Sequence, residues 1–154
     1  MKDVYFIGRK RWHFNILPRS PDLCIGGESN PYLRRWYILS TPLFRIYLHN
    51  MVRNDDDRAL HDHPWNNVSI ILKGGFVEVT PNGRYPRLLG SITVRKAKDA
   101  HRLELPKGKR SSWSLFLTGR YQRKWGFHCP KGWIPYEQFL KVDAHGETGA
   151  GCPE

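Results

Sequence analysis

The stretch from Arg58 to Gly75, R-A-L-H-D-H-P-W-N-N-V-S-I-I-L-K-G-G, joins a histidine pair to a short apolar run and a glycine turn. His61 and His63 are two residues apart, so on an extended strand both imidazoles point to one face and Asp62 points to the other. Two imidazoles on one face make half of a metal site. A bare H-x-H pair is more often two polar residues on an exposed edge, so the spacing alone is a weak signal.

A second pattern, from Gly90 to His101, strengthens the first. Together the two resemble the cupin superfamily, whose first motif runs G-x5-H-x-H-x(3 or 4)-E-x6-G and whose second runs G-x5-P-x-G-x2-H-x3-N. His61, His63 and Gly74 fall in the register of the first motif, and Gly90 and His101 fall in that of the second.

Five positions depart from the cupin motifs. Asn67 stands where the first motif has its glutamate, and Asp55 stands where it has its leading glycine. Lys96, Lys98 and Leu105 replace the proline, glycine and asparagine of the second motif. The run D-D-D-R-A-L-H-D-H-P-W and the later W-G-F-H also resemble a group of small, often phage-encoded cupin-like proteins, which supplies a fold and no function.

The resemblance implies an all-β fold, a small double-stranded β-helix (jelly-roll, cupin) barrel with an irregular N-terminal arm. We expect a single domain over 1–154, with the arm at 1–42, the barrel at about 43–128 and a C-terminal extension at 129–154. Composition agrees, because 11 Pro and 14 Gly divide the chain into short segments, as in all-β proteins. Residues 32–39 fit neither a strand nor a helix period cleanly.

Alternation of apolar and polar residues predicts which side chains face the core. On the strand from Ser91 to Arg95 it turns Ile92 and Val94 inward and Arg95 outward. His101 falls on the core side, whereas Glu78 is predicted to point outward, because Val77 and Val79 make the better core face. Glu104 falls on the face opposite His101, which argues against it as a ligand.

Three neutral imidazoles from His61, His63 and His101 would form one side of a coordination sphere and leave positions open for water, substrate or oxygen. Asn67 is a possible further ligand, although an amide oxygen binds more weakly than a carboxylate. We expect one divalent transition metal ion. Iron(II) is favoured by the resemblance alone, while zinc, nickel or manganese would also accept imidazole ligands.

Four further residues are candidates for catalysis. Arg45, Arg58 and Tyr47 could anchor an anionic substrate, and Glu78 is the nearest alternative carboxylate. Each has an ordinary interpretation as a surface residue. Trp65, Trp113 and Trp125 could line a pocket, although tryptophans in a small barrel are more often core residues. Three histidines have no partner in the pattern and are predicted to be structural or exposed: His13, His49 and His145.

The net charge of +11, from 25 Lys and Arg against 14 Asp and Glu, indicates affinity for anions. The excess is densest around the second motif. A nucleic-acid surface and a merely solvated face account for it equally well. The basic residues concerned are Arg95, Lys96, Lys98, Arg102, Lys107, Lys109 and Arg110.

The three cysteines, Cys24, Cys129 and Cys152, are widely spaced and include no C-x-x-C, so a disulfide framework is not expected. Residues 4–7 form the only apolar run near the N-terminus, which is too short for a signal peptide or a membrane span. The expectation is a cytoplasmic protein that does not associate with membranes.

Three functions remain open. The first is a metal-dependent cupin oxidoreductase, a dioxygenase-like enzyme that acts on a small anionic substrate. The second is a non-enzymatic binding module that holds a small anion or a nucleic acid through the basic face. The third, a metal-free sugar isomerase or epimerase, fits poorly, because His61 and its neighbour Asp62 face apart. The resemblance also implies a possible homodimer.

Overall fold

The computed structural model describes residues 11–12, 19–54, 59–140 and 149–153. Strands dominate this part of the chain, and no helix in it has the length and apolar character needed to cross a membrane. The elements are β1 (Arg11–Trp12), β2 (Leu23–Ile25), β3 (Leu33–Ser40), β4 (Arg45–Met51), β5 (Leu60–His61), β6 (Asn67–Lys73), β7 (Gly75–Thr80), β8 (Gly83–Leu88), β9 (Ile92–Arg95), β10 (Arg102–Glu104), β11 (Ser112–Thr118), β12 (Gly126–Cys129), β13 (Gly132–Pro135) and α1 (Tyr136–Phe139).

The strands form one large sheet and two small ones. The large sheet has the order β1-β3-β4-β11-β6-β9, with β2 also paired to β3. The small sheets have the orders β10-β7-β8 and β13-β12-β5. Leu33, Met51 and Ile71 of the large sheet pack against Phe76 of β7, so the sheets enclose a common core. The all-β prediction is therefore confirmed for the described residues.

Strand β11 shows how the interior is built. Its burial alternates with period two, as expected for a strand with one face inward, and the buried members are Ser112, Ser114, Phe116 and Thr118. Apolar residues close one end of the interior, where the core cluster of Leu33 and Met51 lies. Three of the four buried side chains of β11 are polar and the fourth is Phe116, and this mixed face provides one wall of the candidate site.

The predicted orientation of β9 is wrong. Ile92 is 65% exposed and Val94 74% exposed, whereas Arg95 is only 5% exposed. Exposure does alternate along β9, but hydrophobicity alone predicts the wrong face as the inner one, because it turns Ile92 and Val94 inward. Arg95 is inside because Glu78, on the facing sheet, supplies a buried carboxylate for it.

Two other elements go beyond the prediction. Residues 32–39, whose pattern fits neither a strand nor a helix period cleanly, lie almost wholly in β3 (Leu33–Ser40). This strand falls within the range predicted as the arm and pairs with β4 along its length. Strand β8 had not been predicted and pairs with β7 through the Pro81-Asn82-Gly83 turn. The apolar run at residues 4–7 lies outside the described residues.

The structure contains a disulfide between Cys129 and Cys152, although the cysteine spacing predicts no disulfide framework. Spacing gave no sign of it, because the pairing depends on the return of the C-terminal residues to β12. The N–H groups of Gly149 and Gly151 donate to the carbonyl of Phe139, which brings Cys152 back to the barrel. Cys24 is a free thiol.

Candidate metal centre

Main-chain hydrogen bonds position all three predicted histidines. His61 ends β5 and forms an isolated antiparallel bridge with His101, in which each N–H donates to the carbonyl of the other at 2.9 Å. The N–H of His63 donates to the carbonyl of Ala97, also at 2.9 Å. The two motifs are therefore joined through the backbone at the histidines themselves.

The three imidazoles converge as predicted. Their ring centroids are 5.2 Å apart for His61 and His63, 5.1 Å for His61 and His101, and 5.0 Å for His63 and His101. One nitrogen from each ring lies within 4.8 Å of the others, and the Nε2 atoms of His63 and His101 are 2.8 Å apart. This is a group that could hold a metal ion.

Burial keeps the three rings neutral. It lowers the pKa of His61 to about 4 and that of His101 to about 4. The pKa of His63 is held well below its usual value by burial and by the neighbouring His101. A neutral imidazole has a free lone pair on one nitrogen, and this is the form that binds metal.

Glu78 lies inside the barrel, and its predicted outward orientation is wrong. It is 1% exposed, and its Oε1 lies 2.8 Å from Nδ1 of His101. Arg87 donates through Nε to Oε2 at 2.8 Å, and Arg95 also donates to Oε1. Val77 and Val79 are only half-buried, so the apolar face of β7 was not the decisive one.

The charge on Glu78 determines the tautomer of His101. Burial alone would raise the pKa of Glu78, but hydrogen bonds from His101 and Arg95 outweigh it and hold the pKa well below its usual range. An ionised carboxylate only accepts hydrogen bonds, so the proton of His101 sits on Nδ1 and the lone pair on Nε2. Carboxylates that orient a ligating histidine in this way are common around metals. These donors therefore fit a transition metal ion.

Asn67, the possible further ligand, is 2% exposed at the start of β6. Its Oδ1 accepts a hydrogen bond from Nη1 of Arg95 at 3.4 Å. The amide oxygen is thus directed to the arginine, and metal binding by Asn67 stays a prediction.

An aromatic wall adjoins the histidines. The ring of Trp65 stacks on His63 with centroids 5.1 Å apart, and Phe116 lies 6.1 Å from His63. Tyr47 is 4% exposed and stacks on Phe116 at 6.4 Å. Tyr47, predicted as a candidate, is therefore in the same cluster as the histidines, and Trp65 lines the site.

Arg35 and His49 also belong to this region, and sequence reasoning missed both. Nε of Arg35 donates to Nε2 of His49 at 2.9 Å, and the guanidinium lies 4.7 Å from the ring centre of Tyr47. The positive charge of Arg35 is close enough to contribute to the low pKa of His63. His49, expected to be structural or exposed, is buried and stacks on Phe116. Their pairing depends on the register of β3 with β4, which no local pattern reveals.

Arg45 is half-buried on β4, two residues before Tyr47 and on the same face of the strand. Arg58, the other predicted anchor, lies outside the described residues, as do Asp55, His13 and His145. Glu104 pairs with Arg84 and Arg102, in agreement with the expectation that it is not a ligand.

Asp62 faces away from the histidine group, as the alternation predicts, and connects β5 to the C-terminal hairpin. It is 1% exposed and accepts hydrogen bonds from the N–H of Gly126 at 2.9 Å and from Nε1 of Trp133 at 3.0 Å. Nη1 of Arg123 is 2.6 Å from Oδ2 of Asp62, and Nε2 of His128 is 3.2 Å from the same oxygen. Asp62 therefore holds His61 in place from behind.

The other tryptophans lie further from the histidines. Trp113 stacks with Trp36 at 5.5 Å. Trp125 stacks on Tyr136 at 4.7 Å and meets His61 only edge-on at 6.5 Å. Both side chains are half-buried, and Trp113 lies on the face of β11 opposite Phe116.

No protein-family model matches the chain, and no curated protein matches its sequence. Solved structures do match it. The crystal structure of iron(II) HppE aligns with a TM-score of 0.55 and 14% identity, over 71% of this chain and 64% of HppE, so less than two thirds of HppE is covered.

Two further structures extend the likeness. An uncharacterized conserved protein with a double-stranded β-helix domain from Klebsiella pneumoniae aligns with a TM-score of 0.53 and 16% identity, over 64% of this chain and 85% of that one. A sugar phosphate isomerase of the cupin superfamily from Silicibacter pomeroyi aligns with a TM-score of 0.50 and 15% identity, over 75% of this chain and 84% of that one. The chain therefore has the cupin double-stranded β-helix fold. At these identities the likeness shows the fold alone.

Proposed function

We propose that this protein is a metal-dependent cupin enzyme, an iron(II) dioxygenase-like oxidoreductase that acts on a small anionic substrate. The observation that carries the proposal is the convergence of three neutral imidazoles, one of them oriented by a buried carboxylate. Burying such a group without a cation leaves polar atoms that are hard to satisfy. The iron(II) in the name of a structure with the same fold supports the choice of metal by analogy only.

Each group at the site has a defined task. His61, His63 and His101 would hold the ion, and Glu78 would keep the proton of His101 on Nδ1. When bound, a divalent iron would supply the redox chemistry and the open positions for substrate and dioxygen.

The surrounding residues would exclude water and orient the substrate. Trp65 and Phe116 cover one side of the histidines with apolar surface. Arg35 and Arg95 place positive charge close enough to the imidazoles to lower the pKa of His63. Such a field favours an anionic substrate over a neutral one.

Metal content measured by elemental mass spectrometry on tag-free protein tests the proposal. Wild type is compared with His61→Ala and His101→Ala, and His145→Ala serves as the control, since His145 belongs to neither sequence motif. We expect about one transition metal ion per chain in wild type and control, and loss of the ion in both test variants. Oxygen consumption with candidate anionic substrates then tests the reaction. Absence of metal after anaerobic loading with iron(II) would overturn the proposal.

A binding module for nucleic acid is the second candidate. Five of the basic residues around the second motif are exposed, and they are Lys96, Lys98, Lys107, Lys109 and Arg110. Arg95 does not belong to this surface, because it is buried against Glu78. If the basic face is functional, affinity for single- or double-stranded DNA should fall steeply with salt and should survive His101→Ala. The phage-type resemblance, the homodimer and the cytoplasmic location stay predictions.

A further inference from the structure

Three polar side chains form a row across the large sheet beside the histidines. Asn67 of β6 is directly paired with Arg95 of β9 on one side and with Thr118 of β11 on the other. Side chains at directly paired positions extend from the same face of a sheet. Their exposed fractions are 2% for Asn67, 5% for Arg95 and 2% for Thr118. The row is therefore buried inside the barrel.

Each member of the row has one polar atom without a hydrogen-bond partner. These atoms are Nη2 of Arg95, Nδ2 of Asn67 and Oγ1 of Thr118. A buried donor left unsatisfied costs about 1–3 kcal/mol. Three such donors on neighbouring strands indicate a place prepared for a group that accepts hydrogen bonds.

The orientation of the Asn67 amide follows from Arg95. Its Oδ1 accepts from Nη1 of Arg95, and the reversed amide would set two donors against each other. Nδ2 is therefore the atom left to donate. All three unsatisfied atoms are then hydrogen-bond donors on one buried face of the sheet.

The charges around the row favour an anion. Glu78 is one carboxylate that pairs with two guanidinium groups, Arg87 and Arg95. The neighbouring histidines are neutral, so the group keeps a surplus of one positive charge. Arg95 is the buried cation of the two, since the side chain of Arg87 is 27% exposed, and the net positive potential of the group attracts an anion.

Arg95 also connects the row to the histidine group. Nε of Arg95 and Nδ1 of His101 both bond to Oε1 of Glu78, so the guanidinium lies beside the ring of His101. An anionic group on the row would therefore sit beside a metal ion held by the histidines.

We propose that Arg95, Asn67 and Thr118 form a cradle for one oxyanion group of the substrate, either a carboxylate or a phosphate or phosphonate. The inference rests on the proposed function for its identification of the ligand as substrate. Arg95 supplies the charge, while Asn67 and Thr118 supply neutral donors that orient the oxygens. Since Asn67 replaces the motif glutamate, the same position would bind an anion here instead of a cation.

The test measures binding of acetate, methylphosphonate and inorganic phosphate at constant ionic strength, by thermal shift and by titration calorimetry. The variants are Asn67→Asp, which places a negative charge in the cradle, and Thr118→Val, which removes only the hydroxyl. Gln122→Glu is the control, because it makes the same charge change at an exposed site. Metal-free and zinc-loaded proteins are both measured, so that an anion bound to zinc is recognised.

We expect saturable binding of at least one probe to wild-type protein with or without metal. Asn67→Asp should weaken binding more than 10-fold and Thr118→Val about 10-fold, as expected for hydrogen bonds to a charged group, with no change for Gln122→Glu. A preference for acetate or for the phosphorus oxyanions identifies the substrate class.

The cradle would be overturned if no probe bound saturably to wild-type protein. It would also be overturned if Thr118→Val and Asn67→Asp both folded and both bound the probe with wild-type affinity. The metal content of the same samples is measured independently. If the protein binds an anion but no metal, the proposed enzyme is overturned and the cradle is supported. If it binds metal but no anion, the cradle is overturned and the proposed metal site is supported.

Discussion

Nδ1 of His101 lies 2.8 Å from Oε1 of Glu78, and both side chains are almost fully buried. The same carboxylate accepts hydrogen bonds from Arg87 and Arg95. Glu78 therefore connects the predicted metal ligand His101 to the guanidinium groups of Arg87 and Arg95. This contact determines which nitrogen of His101 is available to a metal.

Glu78→Gln should weaken zinc or iron(II) binding about 10–100-fold, the usual effect of losing a partner of a ligating histidine. The neutral amide no longer favours the proton on Nδ1 of His101 through charge. Competition with a chromophoric chelator measures the affinity, and circular dichroism checks that the variant folds. Glu104→Gln is the matched control, since Glu104 is a carboxylate in an arginine pair away from the histidines. Equal metal affinity in Glu78→Gln and wild type would contradict this role.

The protein should lose stability as the pH falls below about 6.5, and His49 should contribute to the loss. Burial and the charge of Arg35 hold the folded pKa of His49 well below 6.5. Below pH 6.5 the unfolded chain therefore binds a proton that the folded protein excludes, and folding becomes less favourable. One such histidine contributes a slope of up to about 1.4 kcal/mol per pH unit.

Urea unfolding of metal-free protein between pH 7 and pH 5.5 measures this slope. His49→Gln keeps an acceptor for Arg35. It should make the slope of the unfolding free energy against pH smaller by the contribution of one histidine, up to about 1.4 kcal/mol per pH unit. His145→Gln removes a histidine that belongs to neither motif and serves as the control. If the slopes of wild type and His49→Gln coincide, His49 is not kept neutral by the fold.

Sequence reasoning located the histidines well and their surroundings poorly. His61, His63 and His101 were found because strand alternation and the two motifs are local patterns. The pattern places Glu78 and Arg95 on the wrong face. Glu78 is buried with Arg95 and His101 as partners, and Arg95 is buried with Glu78 as its ion-pair partner. A pair of this kind depends on the packing of two sheets, and hydrophobicity along either strand points the other way. The same limit applies to Arg35 and His49, which meet only through the register of two strands.

Gly126 should tolerate no side chain. A Cβ at this position would collide with the carbonyl oxygen of Ile134 and would lie 2.8 Å from Cζ2 of Trp133. The N–H of Gly126 also donates to Asp62, so a shift of β12 would disturb the support behind His61. Gly126→Ala is expected to lower the free energy of unfolding by about 1–3 kcal/mol, the usual cost of overpacking.

Urea denaturation compares Gly126→Ala with Gly119→Ala. The added Cβ at Gly119 would meet its nearest neighbour, the carbonyl oxygen of Asn66, at an ordinary 3.6 Å. We therefore expect a small effect at Gly119 and a large one at Gly126. Similar losses in the two variants would mean that the close packing of β12 on β13 does not limit stability.

The disulfide between Cys129 and Cys152 should stabilise the barrel by closing the C-terminal segment onto β12. Cys129 packs with Phe127 and Phe139, so the crosslink lies against a buried cluster and not at a loose end. Its sequence separation of 23 residues corresponds to a loss of about 3 kcal/mol in the free energy of unfolding when the crosslink is removed. Cys152→Ser should show this loss, and Cys24→Ser, which removes the free thiol, should not. Dithiothreitol should lower wild type to the level of Cys152→Ser and leave that variant unchanged. If dithiothreitol leaves the free energy of unfolding of wild type unchanged, and the number of free thiols is the same before and after treatment, the two cysteines are not joined.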